Sequence, residues 1–163
     1  MIERKYLAHY IDSAFSAGQP AYSLLGKDLE EFNIELNPEV ESKQNILGEN
    51  SVVVTGYEAS SSVEPYYCDH NDALSTKLMD IAMNRLTGDN CKTTVVDVLL
   101  SPNAEGAEPG CVWAYREECF VVPESIGGDT SGVQIPFTIH RAGNRVKGTF
   151  DVKTKTFTEG EAA

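Results

Sequence analysis

Apolar and polar residues alternate with a period of two over much of this chain, and that spacing predicts strands. Leu29-Glu30-Glu31-Phe32-Asn33-Ile34-Glu35-Leu36 alternates from Glu31 onward, with Phe32, Ile34 and Leu36 on one face and Glu31, Asn33 and Glu35 on the other. The pattern predicts a half-buried strand with an acidic outer face, ended by Pro38. Near the C-terminus Val133, Ile135, Phe137 and Ile139 alternate with Gln134, Pro136, Thr138 and His140. After Ala142-Gly143-Asn144, which reads as a hairpin turn, Val146, Gly148, Phe150 and Val152 alternate with Lys147, Thr149 and Asp151. Pro136 has no N–H to give to a ladder, so the first of these strands should lie at an edge or break there. Thr93–Leu100 is rich in β-branched residues and predicts a central strand; Cys111–Val122 predicts another, with Trp113 and Tyr115 on one face.

A helical period is clear between Asp72 and Gly88. Asp72 suits an N-cap, Leu74, Leu78, Ile81 and Ala82 form one apolar stripe, and Gly88 follows Leu86 as a stop, predicting a helix over about residues 72–87. Residues 39–66 carry a polar run, the turn-like Leu47-Gly48-Glu49-Asn50, the Val52-Val53-Val54 cluster and Ser60-Ser61-Ser62 before Pro65, and predict a long hairpin projecting from the body. Its tip sets Ile46 and Leu47 among polar neighbours, an apolar spot suited to burial against a partner and expected to be loosely ordered until then. Small and polar residues at Ser13–Gly18 predict a flexible arm over residues 1–18, and residues 152–163 read as a C-terminal tail. The expected fold is one mainly β domain spanning residues 1–163, a sandwich or barrel with one packed helix.

Composition narrows the function. Of 163 residues, 41% are hydrophobic and 23% charged, ordinary values for a domain that buries a core. No stretch approaches the ~18 consecutive apolar residues of a spanning helix, and no apolar signal core follows the N-terminal charges, so the expectation is folding in the cytoplasm. The net charge is −12, and residues 1–100 hold 7 Lys and Arg against 16 Asp and Glu. Such an excess opposes tight binding to a polyanion, yet suits a surface that DNA must pass without adhering. Cys68, Cys91, Cys111 and Cys119 match neither a C-x-x-C pair nor a zinc frame and predict reduced, largely buried thiols.

Candidate catalytic and ligand chemistry is thin. His9, His70 and His140 lack a ligand-spaced partner and read as ordinary surface or turn residues. Asp69-His70-Asn71-Asp72 lacks the central Gly and final Glu of a calcium loop and is better explained as helix capping. Gly127-Gly128-Asp129-Thr130-Ser131-Gly132 has no following Lys and leads into a strand, which makes it a flexible turn rather than a phosphate loop. There is no G-x-S-x-G elbow. The expectation is a protein that is not an enzyme and takes no cofactor or metal.

Several segments, taken in order, resemble the bacteriophage tail tube (major tail) protein family, including the tubes of phage-derived particles. They are Leu25-Gly26-Lys27-Asp28-Leu29-Glu30-Glu31 leading to Ile34-Glu35-Leu36-Asn37-Pro38, then Asn45-Ile46-Leu47-Gly48-Glu49 and Glu64-Pro65-Tyr66-Tyr67. The helix end Asn84-Arg85-Leu86-Thr87-Gly88 and Gly127–Phe137 complete the set. The resemblance implies a virion structural protein that forms hexameric rings stacked into a hollow tube, with a loop reaching the next ring and no active site. Its partners would be further copies of itself, tape measure, baseplate and terminator proteins and, where present, a sheath. DNA or an effector would pass through unbound, and assembly would take place in the host bacterial cytoplasm. On this reading Glu31, Asn33 and Glu35 are the lumen-facing candidates, and Ile46 and Leu47 the inter-ring contacts. The alternatives are a neck, terminator or baseplate ring protein of a tail-like particle, or a monomeric β-barrel that binds a small ligand.

Overall fold

The computed structural model describes residues 1–15, 18–27, 29–102 and 110–160. In chain order the elements are β1 (Leu7–Asp12), β2 (Tyr22–Leu25), β3 (Pro38–Gln44), β4 (Asn50–Tyr57), β5 (Ser60–Val63), α1 (Ala73–Asn84), β6 (Lys92–Ser101) and β7 (Gly110–Pro123). They continue with β8 (Gly127–Asp129), β9 (Gly132–Gln134), β10 (Phe137–Asp151) and β11 (Thr156–Glu159). The main sheet runs β11-β10-β7-β6-β1-β2, with β5 also paired to β10, and every pairing is antiparallel. Strands β3 and β4 form a separate ribbon, and β8 and β9 a second one. The protein is thus mainly β with one helix, as its alternation predicts.

The sheet is covered on both sides. Ile11, Val95, Cys119, Val121, Phe137 and Ile139 on one face pack against Leu74, Leu78 and Ile81 of α1. Tyr10, Tyr22, Val96, Val98, Ala114 and Phe150 fill the other. Strands β1 and β10 are separated by β6 and β7, yet the rings of Tyr10 and Phe150 lie 4.4 Å apart. Three strand spacings of about 4.8 Å cannot be bridged across a flat sheet, so this contact requires the sheet to curl into a half-barrel around the second cluster. Burial on both faces also explains why β6 reads as a continuous β-branched run rather than an alternating one.

The helix forms for local reasons. The Asp72 carboxylate accepts from the Leu74 N–H at 3.1 Å, and the stripe of Leu74, Leu78 and Ile81 is buried. Its end comes earlier than Gly88, because Arg85 takes the left-handed conformation (φ 50°) and closes the last turn on Ile81.

Other expectations are corrected. The arm expected over residues 1–18 is not free at Leu7–Asp12, since β1 is an interior strand between β2 and β6, with His9, Tyr10, Ile11 and Asp12 buried. Residues 31–36 do not form a ladder strand. Phe32 is buried as the alternation predicts, but Leu36 on the same predicted face is exposed, and among the described residues the segment pairs only through a single bridge, from Glu35 to Ser60 of β5. The projecting hairpin is Pro38–Tyr57 rather than 39–66, because Ser60–Val63 return to the main sheet as β5. Ala142-Gly143-Asn144 makes no hairpin turn: positive φ at Gly143 and Asn144 is used for a bulge, and β10 continues along β7 through it. Pro136 does mark a break, between β9 and β10. Within the expected tail, Thr156–Glu159 pair with β10 as β11.

Core and ribbon should therefore respond differently to truncation. Leu78→Ala is expected to lower the unfolding free energy by about 2–5 kcal/mol, whereas Val53→Ala on the exposed ribbon should stay within about 0.5 kcal/mol. Urea denaturation of the two variants decides, and equal losses would contradict the assignment of the core.

Candidate functional site: a buried ion network, an adjoining cleft and an unpartnered ribbon

Asp97 sits in the middle of β6 on the helix-bearing face, where a bare carboxylate would be costly. Its neighbours supply cations and donors. Arg141 of β10 forms an ion pair with Asp97 Oδ2, and its Nη2 donates to Oδ1 at 3.2 Å. His9 Nδ1 of β1 lies 2.7 Å from Oδ1. The side chains of His9, Asp97 and Arg141 are only 5%, 3% and 2% exposed. Arg4 Nη2 reaches His9 Nε2 at 3.1 Å, and a guanidinium can only donate, so Nε2 accepts and Nδ1–H donates to Asp97. Glu117 of β7 lies 3.6 Å from Arg141 Nη1. Burial alone would push the Asp97 carboxyl up. The hydrogen bond from His9 and the charge and hydrogen bonds of Arg141 outweigh it and hold the carboxyl below the ordinary range.

The segment that the sequence presents as an acidic strand lies across this network as a strap. Phe32 packs on His9, ring centroids 4.5 Å apart, and its carbonyl accepts from Arg4 at 2.9 Å. Glu31, Asn33 and Glu35 all face solvent, with Asn33 donating to Glu31 at 2.6 Å. The three lumen candidates are brought together on one exposed edge. Beside the strap opens a cleft of about 520 Å³, walled by Ile34, Leu36, Tyr57 and Ala59, with Arg141 and Arg145 among its lining residues. Arg145 is exposed and rests over the Tyr115 ring at 4.0 Å. Among the described residues the buried Nε–H of Arg141 has no hydrogen-bond partner.

The β3–β4 ribbon stands apart from both sheet faces. Val40 faces Val54 and Ser42 faces Val52 across it, so Val40, Val52 and Val54 share one exposed side. At its tip the Asn45 side-chain carbonyl accepts from the N–H groups of Leu47 (2.9 Å) and Glu49 (3.0 Å), while Asn45 N–H donates to the Glu49 carbonyl at 3.0 Å. Gly48 supplies the positive φ (82°) that the turn requires. The result is a built turn displaying Ile46 and Leu47, at 101% and 78% exposure.

Other candidate chemistry finds structural uses. His9 is not a surface residue, contrary to the sequence reading; the lone Asp97 within a β-branched run was the available sign that a buried cation was needed. Asp69 and Asp72 organise the turn into α1, and Gly127–Gln134 forms the β8–β9 ribbon instead of a flexible turn. Cys91 and Cys119 are buried and Cys68 and Cys111 half-buried; burial pushes the Cys119 thiol up to about 12, far from a reactive thiolate. Among the described residues no cluster of His, Cys, Asp or Glu could hold a metal ion, and no helix is long and apolar enough to cross a membrane.

No protein-family model matches the chain, and no curated protein matches it. A solved structure does share its fold: the sheath/tube terminator of an extracellular contractile injection system, PVC, in the extended state. The two superpose with a TM-score of 0.53 at 9% identity, over 90% of this chain and 96% of that one.

The network makes a pH prediction. Because the folded Asp97 value lies below the unfolded one, its stabilisation is present above roughly pH 4 and is lost as pH falls further, toward the folded value. Asp97→Asn leaves Arg141 without its main counter-charge and should cost about 3 kcal/mol near neutral pH. Urea melts repeated at falling pH should show the two stability curves converging in acid; parallel curves would contradict the role of the carboxylate.

Proposed function

We propose that this chain is a structural, non-catalytic subunit of a phage tail-like particle, joining copies of itself through the ribbon into rings that stack as a hollow tube. The observation that carries this is the ribbon itself. It is almost wholly exposed, adds no strand to the main sheet, and bears an apolar side and an apolar tip. A lone two-stranded ribbon is at best marginally stable in water, and its free edges and apolar residues suit pairing with another chain. The fold likeness to a sheath/tube terminator, which spans nearly all of both chains, supports membership of a tail-like assembly. The hexameric ring, the tape measure and baseplate partners, and a place in the particle's tail rest on the tail tube resemblance.

Glu31, Asn33 and Glu35 remain the lumen candidates, since like charge keeps a polyanion from adhering to a wall. The same likeness favours a second reading, a terminator that caps a tube or sheath and forms rings without stacking them. The two differ in what the purified protein builds.

Concentrated protein viewed by negative-stain microscopy should show tubes on the first reading, and isolated rings or caps on tube ends on the second. A protein that stays monomeric with particle partners added would sink both. Leu47→Asp should abolish assembly while leaving circular dichroism and melting nearly unchanged, because a charge would be desolvated at each contact. Glu31→Lys with Glu35→Lys should leave tubes intact but make them retain DNA; a density map with both side chains on the outer surface would remove the lumen assignment.

A further inference from the structure

The ribbon tip needs a receptor, and the cleft beside the strap has the matching chemistry. Ile46 and Leu47 are apolar and followed by the carboxylate of Glu49. The cleft offers apolar walls from Ile34, Leu36, Tyr57 and Ala59, and is also lined by Arg145 and by the mutually paired Asp97, Arg141 and Glu117. Its volume of about 520 Å³ lies within the roughly 300–1,000 Å³ of pockets that enclose drug-sized groups.

One observation marks the cleft as unfinished: Arg145 forms no ion pair among the described residues, and its guanidinium rests over the Tyr115 ring. An incoming carboxylate would give that exposed cation a partner.

We propose that this cleft receives the Ile46-Leu47-Glu49 tip of a second copy of the chain, the apolar pair packing on the cleft walls and Glu49 pairing with Arg145. The proposal rests on the assembly reading above and supplies its contact. The tip cannot fill the cleft of its own copy. Tyr57 stands at the base of the ribbon and lines the cleft, and the seven steps of β4 from Tyr57 to Asn50 span roughly 23 Å of stiff strand, which carries the tip away from it. Tip and cleft are different surfaces, so the contact is head-to-tail and leaves each bound copy with a free tip or a free cleft. The turn is held in place by Asn45, so little ordering is required on docking.

Photo-cross-linking tests this directly. With p-benzoylphenylalanine in place of Leu47, irradiated assemblies should yield intermolecular adducts mapping to Leu36, Tyr57 or the Ala142–Arg145 stretch. Adducts confined to other surfaces while assembly persists would overturn the cleft and leave the assembly reading standing; absence of any self-association would overturn both. Charge exchange gives a second measurement. Glu49→Arg and Arg145→Glu should each raise the concentration needed for assembly by roughly threefold or more, with unchanged circular dichroism, and the double variant should recover most of the loss. Failure of the exchange to rescue would remove the Glu49–Arg145 pairing.

Discussion

Asp97 is a carboxylate in the central strand of a sheet buried on both faces, and much of the chain is arranged to meet its charge. Arg141 reaches it from β10, His9 from β1, and Arg4 holds His9 from the other side. Removing either member of the buried Asp97–Arg141 pair would strand the other's charge in an apolar setting, at a cost of several kcal/mol. The N-terminal strand is therefore fastened into the sheet by the same group that positions the strap, because Phe32 stacks on His9 and its carbonyl holds Arg4. This network also accounts for why residues 1–12 are structural and not a free arm.

Strand β10 serves both faces of the sheet: Arg141 points to the face that carries Asp97, and Phe150 to the tyrosines of the concave side. Between them Gly143 and Asn144 adopt positive φ and let the strand shift register without leaving β7. Gly148 has its own constraint, since a Cβ there would lie 2.2 Å from the Thr158 carbonyl of β11. The irregular stretch leaves Arg145 exposed beside the cleft, which links the interior ion network to the surface proposed for assembly.

The molecule divides its apolar residues between two purposes. Those of α1 and the sheet are buried and supply stability, each fully buried Leu or Ile contributing about 1.5–3 kcal/mol. Val40, Val52, Val54, Ile46 and Leu47 lie on a ribbon that contributes no strand to the main sheet. Such a ribbon leaves apolar surface that the fold itself does not cover, and the chain's net charge of −12 limits indiscriminate association through it.

Local physics made part of this protein readable from its residues alone. The Asp72 cap and the Leu74, Leu78 and Ile81 stripe define the helix, and the β-branched content of Thr93–Leu100 defines a central strand, because caps, helical stripes and β propensity act over a few residues. The place of the ribbon tip and its exposed Ile46 and Leu47 were legible for the same reason, but its order was not: the sequence predicts a loose tip, whereas Asn45 hydrogen bonds to Leu47 and Glu49 fix the turn. What the tertiary structure decided involves partners far apart in sequence. The alternation of residues 31–36 says that one side is buried but not whether a neighbouring backbone pairs along it, and among the described residues only Glu35 is bridged, to Ser60. Gly143-Asn144 suits a hairpin turn or a bulge equally well, and only the continuing ladder with β7 selects the bulge. His9 and Asp97 are 88 positions apart, and Arg141 is 44 beyond Asp97. No local signal joins three polar groups at such separations, because their pairing is enforced by the low dielectric of a core that exists only after the sheet has folded.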